Sequence, residues 1–230
     1  MPMKPLDFDS RYGELDVVIA AYIGEPADDT SDKSSRALQA YLRHTWRTRP
    51  WSLALAEQQI RTYARNPPGR VRQRLGEFYP VPDIGLPDSG IQAWLLHIAG
   101  HIRRSVEQGE APFPSPSPLT HWEWHARFPE LAQLLGGWFS QDMPDEFVDH
   151  DSAIRDYVST ANHTVVARVI GEVHELLSLG LEDADYALAV SELGLEVDPF
   201  TSSTPRGWLA WVAERLVEFG SGYGQPDVGG

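Results

Sequence analysis

Residues 127–142, RFPELAQLLGGWFSQD, place Leu131, Leu134, Leu135, Trp138 and Phe139 at i, i+3, i+4, i+7 and i+8. That spacing is one face of a helix, because a strand face would repeat at every second residue. The same period recurs downstream. Ala153, Ile154, Tyr157 and Val158 form a short second stripe with Asp151 as its expected N-cap, and Val165, Val166, Val169, Ile170, Val173, Leu176 and Leu177 form a longer third. A fourth, near 182–193, carries Tyr186, Ala189, Val190 and Leu193 and stops at Gly194, a residue suited to the first position past a helix. The fifth opens at Thr204 and Pro205, a capping residue followed by proline at the first helical position, and carries Trp208, Trp211, Val212 and Leu216. No strand-like alternation of useful length occurs, so the expected fold class is all-α.

Reading outward, the opening stretch has a counterpart near the start of the chain. Residues 11–26 read RYGELDVVIAAYIGEP, and at a constant offset of 116 Arg11, Glu14 and Leu15 fall on Arg127, Glu130 and Leu131. Tyr12, Ile19, Tyr22 and Ile23 fall on Phe128, Leu135, Trp138 and Phe139 at that offset, and Ala37, Leu38, Tyr41 and Leu42 on Ala153, Ile154, Tyr157 and Val158. After a few residues of slippage Leu75 and Gly76 lie opposite Leu193 and Gly194, and Trp94 opposite Trp208. The pattern predicts two tandem compact helical domains of about five helices each, related by internal duplication. The proline-rich stretch 107–120, EQGEAPFPSPSPLT, cannot continue a helix and is the expected linker between 1–106 and 121–220, with 221–230 a Gly-rich tail.

The chain has 230 residues, enough for two cores of that size. Its 19 Lys and Arg against 33 Asp and Glu give a net charge of −14, which disfavours nucleic acid and anionic membranes as partners. The absence of Cys excludes disulfides, a thiolate nucleophile and Cys-based metal sites. No apolar run of 18 or more residues occurs and none near the N-terminus is flanked by basic residues, so a soluble cytoplasmic protein is expected. Eight Trp supply rigid side chains for cores or for a surface that meets another protein.

Catalytic patterns are sparse. His97 and His101 have the i, i+4 spacing of metal ligands, but Ile98 stands where a zinc protease needs its Glu base. His121, Glu123 and His125 in HWEWH offer nitrogen and oxygen donors, and a metal-dependent helical-bundle enzyme built on these groups is one alternative reading. A non-catalytic two-domain adaptor is another. The acidic loop 140–151 fits no frame of an EF-hand calcium site. Phosphate-cradling glycine motifs and the nucleophile elbow are absent, so neither catalytic residues nor cofactors are expected. Arg61, Arg65, Arg70, Arg72 and Arg74 cluster, and in so acidic a chain they read as a solvated helix end or a surface that docks on acid.

FPELAQLLGGWFSQD (128–142), DSAIRDYV (151–158), ELG (192–194) and GWLAWVAERL (207–216) together resemble the contact-dependent growth inhibition immunity proteins paired with ribonuclease A-like toxin domains. Phe128, Pro129, Leu131, Gly137, Trp138, Phe139, Gln141 and Asp142 agree with that pattern, while Ser140 and Met143 stand where it has His and Trp. The resemblance covers about 90 residues and implies a small helical protein, without catalysis, that binds a cognate toxin from a neighbouring bacterium and blocks its active site.

Charge agrees with that implication. Residues 1–115 hold 14 Lys and Arg against 14 Asp and Glu, whereas 116–230 hold 5 against 19. An acidic domain imitates the phosphates that a basic nuclease holds, which steers association and matches the interface. The expected partner contacts are Gln141, Asp142, Asp145, Glu146, Asp149 and Asp151, with Trp138 as an aromatic anchor.

Overall fold

The computed structural model describes residues 5–65, 88–198 and 203–222, with side chains described over 10–65, 90–198 and 203–220. Leu75, Gly76, Arg70, Arg72, Arg74 and almost all of the tail lie outside the described residues. Eleven helices and no strand are found among the described residues, which makes the protein all-α. The chain divides into two compact units, Met1–Glu123 and Trp124–Gly230. The proline-rich stretch 107–120 lies within the first unit.

The first unit contains α1 (Pro5–Ala20), α2 (Arg36–Thr48), α3 (Ser52–Arg65), α4 (Asp88–Gln108) and the start of α5 (His121–Arg127). Tyr12, at φ −134° and ψ 19°, breaks α1, and the helix restarts after it. The restart is capped from another helix: Gln59 on α3 accepts the backbone N–H groups of Glu14 and Leu15 at 2.9 and 3.1 Å. Helix α3 is central, packing on α1, α2 and α4 through Leu53, Ala56, Ile60 and Tyr63. From α4 come Ile91, Trp94, Leu95, Ile98, Ala99 and Ile102, all buried in the same core.

The second unit continues from α5 into α6 (Pro129–Trp138), α7 (Met143–Glu146), α8 (His150–Thr160), α9 (His163–Ser178), α10 (Asp183–Glu192) and α11 (Pro205–Gly222). Helix α6 begins after Phe128, whose φ of −128° and ψ of 55° leave it with no side-chain cap of its own. Glu172 on α9 supplies one, accepting the N–H of Leu131 at 2.7 Å. Val166, Val169, Val173 and Leu176 face inward from α9, and Trp208, Leu209, Val212, Ala213 and Leu216 from α11, as their 3.6-residue period requires. Trp211 is only half-buried at the edge of this core. Helix α11 packs on α8, α9 and α10, while α6 packs on α8 and α9.

Two details differ from the sequence expectation. The cap of α8 is Asp149 and not Asp151: Asp149 accepts the N–H of Ser152 at 2.8 Å, and Ser152 Oγ accepts the N–H of Asp149 at 3.1 Å. This reciprocal pair satisfies two orphan donors at once, which Asp151, with Ile154 three residues on, could not do. The stretch expected as a plain acidic loop also contains α7, a single turn too short to have a periodic signature.

Gly194 ends α10 in a Schellman motif: Leu195 N–H donates to Val190 C=O at 2.9 Å and Gly194 N–H to Ser191 C=O at 3.0 Å. Its φ of +97° suits glycine, and a Cβ there would lie 3.0 Å from the Cα of Gly136 on α6. This close approach lets Glu196 and Val197 donate their backbone N–H groups to the carbonyl of Phe139 at 3.1 and 3.3 Å. The end of α6 and the start of the acidic loop are thereby fixed.

Candidate functional site

The acidic loop of the second unit leaves the core at Phe139, which is fully buried, and returns at α8. Met143 plugs it down and Phe147 packs partly against the core. His150 closes the base, its ring 5.6 Å from Phe139, 6.4 Å from Trp208 and 6.3 Å from Trp211. Burial in this aromatic surround lowers its pKa from the usual histidine value, against the opposing charge of Asp149.

On this base the carboxylates divide into two kinds. Asp142, Asp145 and Glu146 are exposed, and their side chains make no hydrogen bond or ion pair among the described residues. Asp149 is committed to capping α8, and its bonds to Ser152 hold its carboxyl below the usual range. Asp151 faces α11, with its Oδ1 3.4 Å from Nε of Arg215. Gln141 is exposed, and its backbone N–H donates to Oε2 of Glu196 at 2.9 Å. Trp138 is half-buried: its indole N–H donates to Asp156 at 2.9 Å and its ring meets Tyr157 edge to face at 4.9 Å. The unoccupied apolar side chain here is Val148, 97% exposed between the acidic turn and Asp149. Sequence gave it no signal, because one valine among carboxylates has no period.

Cations in this unit are largely held against its own acids and rings. Arg127 pairs with Glu175, Arg168 with Glu130, and Arg215 with Glu218, while Arg155 lies 4.5 Å over the ring of Phe219. Within Trp124–Gly230 there are 5 Lys and Arg against 18 Asp and Glu, so what faces solvent is strongly negative. Such a field attracts basic macromolecules and repels phosphates.

Two of the four histidines weighed as metal ligands, His101 and His125, hold backbone carbonyls. In the first unit His101 Nε2 sits 2.7 Å from the Thr30 carbonyl and its Nδ1 2.8 Å from Arg104. A carbonyl only accepts and a guanidinium only donates, so Nε2 carries the proton and both ring nitrogens are engaged. Glu123 receives a two-pronged bond from Arg43, at 3.1 Å from Nε and 2.8 Å from the terminal nitrogen, with both side chains almost fully buried. In the second unit His125 Nε2 is 2.8 Å from the Glu192 carbonyl. Among the described residues no group of three or more His, Asp or Glu is placed to hold a metal ion. Nor is any described helix long and apolar enough to cross a membrane.

The described residues of the second unit thus form an acidic, all-helical module. Residues 127–216, from the end of α5 into α11, match the family model described as CdiI immunity protein. The match supports an immunity protein that neutralises a toxin. No curated protein and no solved structure matches the chain.

Proposed function

We propose that this protein neutralises a basic nuclease-type toxin by laying the acidic face of its second unit over the toxin's phosphate-binding cleft, without catalysis of its own. The observation that carries the reading is the cluster Asp142, Asp145 and Glu146, exposed and without a side-chain partner among the described residues, beside the bare Val148 and within the stretch 127–216 that matches the immunity family model. Carboxylates at the rim steer the encounter, and an exposed aliphatic group gives the partner something to desolvate. Gln141 extends the same edge. Asp149, Asp151 and Trp138 serve the surface indirectly, by holding α8 and α11 where the loop needs them.

The same reading takes the two units as tandem copies of one module. Support comes from position. Leu53, Ala56, Ile60 and Tyr63 are buried 113 residues before Val166, Val169, Val173 and Leu176, and Trp94, Leu95, Ile98, Ala99 and Ile102 are buried 114 before Trp208, Leu209, Val212, Ala213 and Leu216. Tyr12 and Phe128 both interrupt the helix, and the restart is capped by Gln59 from α3 in one unit and by Glu172 from α9 in the other.

The test is co-expression with the toxin domain encoded beside this gene. Protection of the cells and co-purification of a complex are expected. Cells that die despite soluble immunity protein would remove the reading.

A further inference from the structure

Two half-buried tryptophans stand at the ends of the acidic loop of the second unit. Trp138 closes α6 just before the loop leaves the core, and Trp211 lies beside His150 where the loop returns, the two rings 6.3 Å apart. Their indole N–H groups differ. That of Trp138 is taken by Asp156 at 2.9 Å, whereas that of Trp211 makes no hydrogen bond among the described residues and remains open to solvent. A tryptophan seated in a core by one edge, with its polar edge in water, has the form that interfaces use.

Carboxylates are in excess around the Trp211 ring. Asp151 and Glu218 share the single guanidinium of Arg215, whose Cζ lies 6.0 Å from the ring centroid. Glu214, three residues on along α11 and so on the same side of the helix, is exposed and has no side-chain partner among the described residues. Gly207, four residues back, is also exposed and brings no side chain over the indole. The other cation of α11, Arg206, lies about 140° round the helix from Trp211. Val148, 97% exposed, stands two residues before His150, so the apolar part of the surface runs from Val148 past His150 to Trp211.

We propose that Trp211, and not Trp138, is the aromatic anchor of the toxin interface. An arginine or lysine of the toxin lays its aliphatic stem on the indole with its charge against Glu214, and an oxygen of the toxin accepts the indole N–H. The ring and Val148 then form the desolvated centre of the contact, and the carboxylates its rim. This inference rests on the reading that the acidic loop docks a basic toxin.

The test is titration calorimetry of the full chain against the toxin domain encoded beside this gene. Trp211→Ala should weaken the complex about thirtyfold or more, the loss that marks an interface hot spot. Because Trp211 also packs on the core, Trp211→Phe is the second variant: it keeps a ring there and removes the N–H, so binding should weaken about threefold to tenfold with Tm nearly unchanged. Glu214→Lys should weaken the complex more at low salt than at high. In proton–nitrogen spectra of the native chain the indole signal of Trp211, assigned from Trp211→Phe, should shift on saturation with the toxin, and its exchange with water should slow. The paired substitution Asp142→Lys and Asp145→Lys separates the two possible failures. If that pair weakens binding while Trp211→Phe and the Trp211 signal change nothing, the anchor is overturned and the docking of the loop stands. A native chain that does not bind the toxin overturns both.

Discussion

The carboxylate of Glu172 receives the backbone N–H of Leu131 at 2.7 Å, so a side chain of α9 caps the first turn of α6. The position is ambivalent. Burial raises the pKa of Glu172 to about 6, against the bonds from Leu131 and Glu130 that favour the anion, and the neighbouring Glu130 and Glu175 add to the rise. In the first unit Gln59 does the same task with no charge to bury.

Substituting Glu172→Gln should therefore stabilise the second unit at neutral pH. A carboxyl whose folded pKa lies above its unfolded value contributes stability that is fully present below the unfolded value, near 4.5, and lost as pH rises through about 6. Discounted for its partly solvated position, the effect is on the order of 1 kcal/mol. Hydrogen-exchange protection at Leu131 should fall between pH 4.5 and pH 7 in the native chain and stay level in the variant. Lower protection in Glu172→Gln at pH 7 would mean that the charged cap outweighs its desolvation.

Arg43 and Glu123, 3% and 7% exposed, form a buried bidentate pair between α2 and the start of α5. Removing one partner strands a charge, so Arg43→Ala or Glu123→Ala should each cost about 3 to 5 kcal/mol. Replacing both, as Arg43→Met with Glu123→Leu, should recover most of that loss. Urea unfolding followed by tryptophan fluorescence, to which Trp122, 6.2 Å from Tyr41, contributes, reads the outcome. A double variant as unstable as the single ones would show that the pair itself, and not the stranded charge, sets the stability.

Gly194 and Gly24 separate backbone strain from crowding. Both have left-handed φ, +97° and +76°, but a Cβ on Gly194 would press on the backbone of Gly136 while one on Gly24 would meet nothing within 4 Å. Gly24→Ala should cost about 1 kcal/mol, and Gly194→Ala about 2 to 4. Thermal unfolding compares them directly, and equal losses would show that α6 shifts to accommodate the methyl group.

The helices were legible because their buried faces repeat with the helical period, as Val166, Val169, Val173 and Leu176 do in α9. Where no period exists the reading failed. Helix α7 is one turn, and in Asp149-His150-Asp151 two acids compete to cap α8, a choice made by Ser152, which can return a hydrogen bond only to Asp149. At the candidate site the charge was legible and its division was not. Which carboxylates are spent internally depends on Arg215, 64 residues beyond Asp151, and Trp138 is held by Asp156 across two helices. The Arg43 to Glu123 bond spans 80 residues, a distance over which composition carries no pairing information.

That division makes the last prediction selective. Asp142 and Asp145 have no side-chain partner among the described residues, so reversing both to Lys should leave the fold intact while weakening the toxin complex. The loss should be greater at low salt than at high, because exposed charges are screened over about 10 Å at 0.1 M ionic strength. Asp151→Lys instead sets a cation against Arg215 and should lower Tm before it changes binding. Titration calorimetry at two salt concentrations, paired with thermal unfolding, separates the cases. A loss of affinity independent of salt in the Asp142 and Asp145 variant would place the interface elsewhere on the second unit.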